Sequence, residues 1–397
     1  MDKKIKWIHW LLLAVSHLLV AAIAVFGTVV YFLPRAGSSA LSGGNGKLYE
    51  LQQILVDEYI GETDAQYLED SAAAAMVLAT GDRWSYYVPA AEMQAFQETK
   101  DNSYVGIGVT IQVREDGDGF DVIKVEPGGS AREAGILPGD RLIEVEGQPI
   151  GPLGTAGARE LIQGPVGTQV VVTVLRDGAR IDFTLTRRQI LQQVASGYML
   201  RGNVGYIRIY NFNSRSCEET ITIIEKLRQQ GATSLLFDVR FNPGGYKDEL
   251  VRLLDYLLPE GDLFHSEYNN GATYTDRSDA DYLDMPMAVL MNSESYSAAE
   301  FFAAALEEYG AAFTAGQPTT GKGYFQTTIG LSDGSAVNLS VGKYYTPKGV
   351  SLAEVGGLVP NVLVEVDMDT ANQIYSETLA LEDDPQVQAA IDKLLGK

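Results

Sequence analysis

The chain has 397 residues, of which 30 are Lys or Arg and 52 are Asp or Glu, so its formal net charge is -22. A protein this acidic is repelled by a phosphate backbone, which excludes nucleic acid as an expected partner. Its single cysteine, Cys217, cannot form an internal disulfide, and with three histidines it is too small a ligand set for a structural zinc site. We therefore expect two or three domains that use no metal ion and no other cofactor.

The N-terminal segment combines positive charge with a long apolar run. Three lysines within residues 1–6 precede the run 7–33, which exceeds the roughly 20 residues that cross a bilayer as a helix. Positive charge is retained on the cytoplasmic side, so the N-terminus is predicted to be cytoplasmic and everything after residue 34 extracytoplasmic. A cleaved signal peptide is the alternative, although its apolar core is usually about 7–15 residues. The sequence thus predicts a single-pass anchor in the cell membrane.

Composition and the spacing of apolar residues divide the rest of the chain into five segments. Residues 34–46 are rich in Gly and Ser, which predicts a flexible linker. Residues 47–102 have helical apolar spacing and are predicted to form a small helical region. Residues 103–189 contain short β-rich runs cut by Gly and Asp, which predicts a β domain. Residues 190–369 alternate strands with helices, as α/β cores do, and residues 370–397 read as an acidic helical tail that could pack on a partner subunit.

The individual elements follow from apolar runs and their boundaries. In the β domain we predict a helix at 158–162 and strands at 108–113, 120–125, 141–145, 170–175 and 181–185. In the core we predict strands at 205–210, 234–239 and 287–291, and helices at 217–230, 247–258 and 297–309. Asp333-Gly334 lies between two alternating runs and predicts a hairpin that closes the core.

A glycine-containing loop lies at the start of the β domain. In the segment 105–108 (VGIG) the glycines allow a tight turn whose N–H groups could hold a carboxylate, although a lone Gly-x-Gly can equally serve turn geometry alone. A second segment, 130–140 (SAREAGILPGD), follows at the expected spacing. Together these segments resemble a PDZ domain. The resemblance implies that a protein C-terminus binds as an added strand, with its carboxylate at the loop. The residues implied are Val105, Gly106, Ile107 and Gly108.

A polar turn between a predicted strand and a predicted helix contains a candidate nucleophile. The apolar strand ends at Met291, and an Ala-rich helix begins at Ser297. Ser297 and Glu300 fit the S-x-x-E capping box, so the serine hydroxyl could be only a helix cap. A helix start also favours a nucleophile, because its free N–H groups and dipole stabilise an oxyanion. This segment alone leaves both interpretations open.

A catalytic serine needs a base, and two residues are candidates. His265 is predicted to lie in a loop and has no motif of a Ser-His-Asp triad around it. Lys322 lies between Gly321 and Gly323, and a neutral lysine can act as a base. If this segment is extended, Lys322 and Gln326 share one face, so Gln326 could orient the lysine amine. The alternative interpretation of Lys322 is a solvated surface lysine.

The motifs together are more specific than any of them alone. The spacing from Ser297 to Lys322, with a glutamine four residues later, resembles that of the C-terminal processing peptidases, also called tail-specific proteases. This family consists of PDZ-containing serine proteases. Three further segments agree: GDRWSYY (81–87), DVRFNPGG (238–245) and YTPKG (345–349). The resemblance covers residues 47–366. Phe241 and Tyr296 depart from the usual pattern, which puts the substrate specificity in doubt but removes no catalytic group.

The resemblance implies an α/β multidomain protein in which an α/β, crotonase-like Ser-Lys protease core follows the PDZ domain. It implies that Ser297 is the nucleophile, Lys322 the base and Gln326 the orienting residue. The implied oxyanion hole is formed by the Ala298 N–H and by one of two glycines, Gly244 or Gly245. Protein substrates recognised by their C-terminal tails and a homodimer are implied as well. The competing hypothesis is a catalytically silent PDZ scaffold, which would not need these catalytic residues.

Overall fold

The computed structural model describes residues 46–114 and 117–396, which divide into two compact units at Tyr87 and Val88. The predicted anchor 7–33 and almost all of the predicted linker lie outside the described residues. Within the described ranges, no helix has the length and apolar character needed to cross a membrane.

The first unit contains two helices, α1 (Gly46–Glu58) and α2 (Ala65–Leu78), where the spacing predicts them. Asp64 begins α2 as an N-cap, because its carboxylate accepts a hydrogen bond from the Tyr67 N–H at 3.2 Å. The next turn is closed by Asp82, whose carboxylate accepts from the Trp84 N–H and the Ser85 hydroxyl. A short strand, β1 (Tyr86–Val88), follows this turn.

The second unit begins with helix α3 (Met93–Lys100) and strand β2 (Ser103–Gly106), followed by the β domain. The β domain contains strands β3 (Val109–Val113) and β4 (Phe120–Val125), helix α4 (Ser130–Ala134), strands β5 (Arg141–Val145) and β6 (Gln148–Pro149), helix α5 (Gly154–Ile162), and strands β7 (Gln169–Arg176) and β8 (Ala179–Thr186). The antiparallel sheet has the order β3-β4-β5-β7-β8, with β6 beside β5. Each strand predicted in this domain is present, with its ends shifted by at most two residues.

One arginine fixes both chain crossings between the β domain and the core. The returning strand β9 (Arg188–Leu191) pairs antiparallel with β2. Arg215 donates to the carbonyls of Asp101 and Asn102 before the domain and to the carbonyl of Gln192 after it. Asn102 also exchanges two side-chain hydrogen bonds with Asn211 of the core, at 3.0 and 2.8 Å. The domain is therefore attached through polar side chains as well as through the backbone.

The core alternates strands and helices and contains two sheets. Its elements are β10 (Ala195–Leu200), β11 (Val204–Ile209), α6 (Ser216–Gln229), β12 (Ser234–Asp238), α7 (Lys247–Leu257), β13 (Gly261–Tyr268), β14 (Thr273–Ser278), β15 (Met287–Met291), α8 (Ala298–Glu308), β16 (Ala312–Gly316), β17 (Tyr324–Gly330), β18 (Ala336–Tyr345), α9 (Leu352–Val355), β19 (Val362–Leu363), α10 (Met368–Tyr375) and α11 (Pro385–Leu394). The first sheet has the order β10-β11-β12-β15-β16-β19 and is parallel from β11 onward. In the second sheet β17, β18, β13 and β14 pair antiparallel in that order.

Helices cover both faces of the parallel sheet. Every residue of β11, β12 and β15 is buried, as expected when a parallel sheet has both faces covered. Helices α6, α7 and α8 contribute to the core on one face, where Phe301 packs in the same cluster as Phe237. Helix α11 covers the other face, where Val387 and Ile391 pack with Leu236. The acidic tail, predicted as a contact for a partner subunit, thus packs on the sheet of its own chain.

The second sheet contains one correction to the sequence-based expectations. His265 was expected in a loop but lies within β13, opposite Thr275 of β14 and Tyr345 of β18. The predicted hairpin between β17 and β18 is present. Its turn is fixed by Asp333, whose carboxylate accepts from the N–H and the hydroxyl of Ser335, and Gly334 has a φ of 91°.

Candidate active site

Ser297 lies in a strained turn between β15 and α8. Its φ is 58° and its ψ is -124°, a combination that non-glycine residues rarely adopt. Buried hydrogen bonds hold the turn in place. The Ser295 hydroxyl donates to the Val239 carbonyl at 2.8 Å and accepts from the Asn292 N–H at 3.0 Å. The surrounding structure therefore fixes Ser297 directly before the first N–H groups of α8.

Glu300 joins the serine turn to the segment that contains Lys322. Its carboxylate accepts hydrogen bonds from the N–H groups of Ser297, Gly321 and Lys322, at 3.0, 2.9 and 2.6 Å, and from the Thr319 hydroxyl at 2.9 Å. The side chain is fully buried, and this burial raises the pKa of Glu300, although the hydrogen bonds oppose the shift. The capping-box prediction accounts only for the contact with Ser297. The other three contacts have no signal in the local sequence.

Lys322 is buried, with 8% of its surface exposed, so the surface-lysine interpretation is wrong. Its backbone is held from both sides, because its N–H donates to Glu300 and its carbonyl accepts from the Tyr344 hydroxyl. The lysine Nζ lies 5.9 Å from the centroid of the Tyr296 ring, and Tyr296 immediately precedes Ser297. The side chain therefore extends toward the serine turn.

Tyr344 contacts both the serine turn and the lysine segment, and no local sequence pattern predicts this role. Its hydroxyl donates to the Lys322 carbonyl and also contacts the Ser297 side chain. Its ring packs against Phe264 and Phe301, with centroid distances of 5.4 and 5.6 Å. Complete burial raises the pKa of Tyr344 well above its usual value, so the phenol stays a neutral donor.

The Asn-Pro-Gly-Gly turn lies directly against Ser297. A Cβ added at Gly244 would lie 2.7 Å from the Ser297 Cβ and 2.8 Å from the Ala298 nitrogen. The Gly244 N–H already donates to the Asn242 side chain at 2.8 Å. Gly245 forms a parallel bridge with Phe212. The Phe212 N–H donates to the Gly244 carbonyl, and the Phe212 carbonyl accepts from the Tyr246 N–H. Because both bonds of the bridge use the neighbours of Gly245, its own N–H points away from Phe212. Of the two glycines, Gly245 is the one whose N–H is not used by the turn.

A buried ion cluster fixes the start of this turn. Arg240 binds Asp238 at 2.5 Å and Asp384 at 2.9 Å, and donates to the Gln386 side chain at 2.8 Å. Burial opposes ionisation, but the charge and hydrogen bonds of Arg240 hold the pKa of Asp238 below its usual value. Because Asp384 and Gln386 belong to the C-terminal segment, that segment stabilises the Asn-Pro-Gly-Gly turn. The sequence-based interpretation did not identify this role.

A cavity of about 730 Å³ opens at Ser297. Gly245, Ala298, Gln326 and Tyr344 line it as well. The Gln326 amide donates to the Ser340 hydroxyl at 2.9 Å and to the Tyr324 carbonyl at 3.1 Å. Lys322 and Gln326 were expected from the sequence to share one face of an extended strand. Strand β17 begins only at Tyr324, and its pairing with β18 shifts register between Phe325 and Gln326. The alternation of side chains along a regular strand therefore does not relate Gln326 to Lys322.

A second cavity, of about 860 Å³, runs along β3 and α5 in the β domain. All four residues of the predicted carboxylate loop, 105–108, line this groove, together with Thr155 and Arg159 of α5. The Ile107 carbonyl accepts from the Ala131 N–H at 3.0 Å, so helix α4 anchors the loop. Gly108 has a φ of 82°, which favours glycine.

The described ranges contain no group of three His, Cys, Asp or Glu side chains placed to hold a metal ion. Cys217 is buried, and burial raises the pKa of its thiol to about 11, which makes it an inert core residue.

Comparison with known proteins agrees with this geometry. Residues 203–364 match the model of peptidase family S41, and residues 122–176 match a PDZ domain. The carboxy-terminal processing protease CtpA of Bacillus subtilis is 31% identical over 338 residues, which cover 83% of this chain and 72% of that protein. The chain belongs to peptidase family S41. The resemblance to C-terminal processing serine proteases with a PDZ domain is thereby confirmed, and the protein is a serine-type peptidase.

Further relatives support the same assignment. The carboxyl-terminal-processing protease of Synechocystis is 30% identical over 308 residues, covering 76% of this chain and 70% of that protein. A solved S41 protease structure from Bacteroides fragilis aligns with a TM-score of 0.51 at 16% identity, covering 87% of this chain and 97% of the other. At that identity the structural similarity supports the S41 fold alone.

Proposed function

We propose that this S41 peptidase is an endopeptidase that cleaves proteins near their C-termini by a Ser-Lys mechanism. The observation that carries this proposal is the single carboxylate of Glu300, which accepts from the N–H groups of both Ser297 and Lys322. The candidate nucleophile and base thus belong to one buried hydrogen-bonded unit. Membership of a serine peptidase family favours catalysis over the PDZ scaffold hypothesis.

The chemistry follows from the position of each group. Neutral Lys322 takes the proton from the Ser297 hydroxyl as the serine oxygen attacks the substrate carbonyl. The oxyanion that forms accepts hydrogen bonds from the N–H groups of Gly245 and Ala298, which line the cavity beside Ser297. The lysine ammonium then protonates the leaving amine, and water hydrolyses the acyl-enzyme. Gln326 lines the same cavity, where we assign it to orienting the lysine amine or the substrate.

The burial of Lys322 supports its role as a base. A lysine accepts a proton only in its neutral form, and an unperturbed lysine with a pKa near 10.4 is about 0.1% neutral at pH 7.4. Removal of the side chain from water disfavours the ammonium form. His265, the alternative base, has its Nδ1 2.9 Å from the Thr275 hydroxyl and its Nε2 3.3 Å from the Pro347 carbonyl, so both of its ring nitrogens contact groups other than Ser297.

The groove of the PDZ domain supports delivery of substrate by its C-terminal tail. An extended tail that adds beside β3 would place its carboxylate at the loop 105–108, as the PDZ recognition mode requires. We assign Val105, Gly106, Ile107 and Gly108 to this contact. Substrates are accordingly proteins with accessible C-termini.

We also propose that residues 7–33 anchor the protein in the cell membrane, with the catalytic part outside the cytoplasm. The length of this apolar run and the lysines before it support the assignment.

The experiment compares cleavage of one protein substrate by the wild type and four variants from pH 5 to 10. We expect no cleavage by Ser297→Ala, Lys322→Ala or Lys322→Arg, since arginine keeps its proton. His265→Ala should retain activity, EDTA should have no effect, and wild-type activity should rise with pH. Substantial cleavage by Lys322→Arg, or its loss in folded His265→Ala, would contradict the Ser-Lys assignment.

A further inference from the structure

One wall of the active-site cavity is formed by a helix outside the catalytic turns. Helix α3 contributes Met93, Phe96, Gln97 and Lys100 to the cavity that opens at Ser297. This spacing of three and four residues places them on one face of the helix. The amine of Lys100 therefore belongs to the same cavity as the nucleophile.

The Lys100 amine lies over the ring of Tyr246, the residue that follows Gly245 of the proposed oxyanion hole. Its Nζ lies 5.6 Å from the ring centroids of both Phe96 and Tyr246. Tyr246 directly follows Gly245 and also lines the cavity. The two rings confine the ammonium group by cation-π contacts, which leave its remaining N–H donors for a ligand.

The other charged groups of the cavity have partners within the protein. Lys247 binds Asp276 at 2.8 Å, Asp248 lies 3.6 Å from Lys247, and Glu249 lies 3.2 Å from Arg252. Across the described ranges, no carboxylate lies within ion-pair distance of the Lys100 amine. Burial lowers the pKa of Lys100, and no neighbouring charge opposes that shift.

A partly desolvated cation without a counter-ion is costly unless an anion binds it. In a protein with a net charge of -22, such a cation at the catalytic cavity provides a local site for a negative group. The negatively charged groups of an unmodified peptide at neutral pH are carboxylates.

We propose that Lys100 is a specificity-determining residue that binds a substrate carboxylate beside the scissile bond. This inference rests on the proposed function, because it takes the cavity at Ser297 as the substrate site. The carboxylate is either an Asp or Glu side chain near the scissile bond or the terminal carboxylate of a short tail. An ammonium-carboxylate hydrogen bond corresponds to about tenfold or more in kcat/KM.

The test uses full-length protein and a matched set of peptides. One series carries Glu or Gln at each position that flanks the scissile bond, and a second carries a free or an amidated C-terminus. The enzymes are the wild type, Lys100→Met, Lys100→Arg and a control, Lys226→Met, which removes an exposed lysine of α6 outside the cavity. Ser297→Ala provides the blank.

The expected result is that the wild type and the control prefer the carboxylate form by about tenfold, whereas Lys100→Met shows almost no preference and Lys100→Arg retains part of it. If Lys100→Met loses the preference for Glu over Gln, the carboxylate that Lys100 binds is a substrate side chain. If it loses the preference for the free over the amidated C-terminus, Lys100 binds the terminal carboxylate. An amidation effect that persists in Lys100→Met belongs to the PDZ groove. Equal preferences in Lys100→Met and wild type would overturn the inference, whereas cleavage by Ser297→Ala would overturn the proposed function instead.

Discussion

Replacing Glu300 with glutamine should disable the enzyme while keeping the shape of the side chain. Oε1 of Glu300 accepts from the N–H groups of Ser297 and Lys322, and Oε2 accepts from the Thr319 hydroxyl and the Gly321 N–H. A glutamine amide has one oxygen, so its NH₂ group faces either the N–H groups of Ser297 and Lys322 or the Gly321 N–H and the Thr319 hydroxyl, which can turn to accept from it. With NH₂ at the Oε1 position, the bonds to both Ser297 and Lys322 are lost; with NH₂ at the Oε2 position, the Gly321 bond is lost and only a neutral amide oxygen still joins the two turns, so either orientation weakens the link.

The magnitude follows from the charge of the acceptor. A hydrogen bond to a charged group contributes about 1.5–3 kcal/mol, so losing one or two such bonds costs about 1.5–6 kcal/mol. Removing a buried charge offsets part of this cost, which leaves a loss of about 1–4 kcal/mol in the free energy of unfolding. Activity should fall further, by about 100-fold or more, because a displacement of about 1 Å between reacting groups has that effect.

The assay measures urea denaturation and kcat/KM for one substrate with the full-length protein. Glu307→Gln is the matched control, since Glu307 lies on the same helix and its carboxylate accepts from the Thr314 hydroxyl, away from the catalytic turns. We expect Glu307→Gln to remain active. If kcat/KM of Glu300→Gln stays within about twofold of wild type, the link between the serine and lysine turns is not what positions them.

The same variant tests the ionisation of Glu300. Burial raises its pKa above the ordinary value of 4.5, so above pH 4.5 the folded protein binds more protons at this site than the unfolded chain does. The contribution of Glu300 to stability is therefore complete below pH 4.5 and is lost as the pH rises through the folded pKa. The stability advantage of wild type over Glu300→Gln should shrink across that window. An advantage that grows with pH would show that the hydrogen bonds outweigh burial.

Two further predictions concern delivery and location. Amidating the C-terminus of a tailed substrate should lower kcat/KM about tenfold, because the PDZ loop loses a charged acceptor. Gly106→Val should weaken cleavage of the same substrate, while Gly128→Ala, whose added Cβ meets nothing within 4 Å, should not. Equal cleavage of amidated and free substrates would remove the case for tail recognition. If residues 7–33 form an anchor, the mature protein keeps its original N-terminus and stays with membranes washed at high salt. A soluble form that begins after residue 36 would show a cleaved signal instead.

The sequence predicted elements best where apolar runs are bounded by turn residues. Strands β4, β5 and β15 have the predicted ends, because Gly, Asp or Pro follows or precedes each run. Strands β13 and β14 were missed, since most of their residues outside Leu263 and Phe264 are polar or exposed and lack apolar alternation. His265 was placed in a loop for the same reason.

The site residues were predictable only where chemistry fixes the residue type. Ser297 and Lys322 follow from motifs, but the groups that position them act over long sequence distances. Glu300 binds the N–H of Lys322, Tyr344 donates to its carbonyl, and Arg240 binds Asp384 in the C-terminal segment. Such contacts leave no local pattern. The register shift beside Gln326 is equally invisible in the sequence, because it depends on how β17 pairs with β18.

The topology explains why distant motifs meet. Strands β12, β15 and β16 are adjacent and parallel, so the segments that follow them emerge at the same edge of the sheet. Those segments are the Asn-Pro-Gly-Gly turn, the Ser297 turn and the Lys322 turn. The strand alternation visible in the sequence is thus enough to bring oxyanion donor, nucleophile and base to one edge. It does not set their separation, which depends on side chains that bond both the serine and the lysine turns, above all on the carboxylate of Glu300. A substitution that preserves the strands but alters this carboxylate should therefore leave the fold intact and remove the activity.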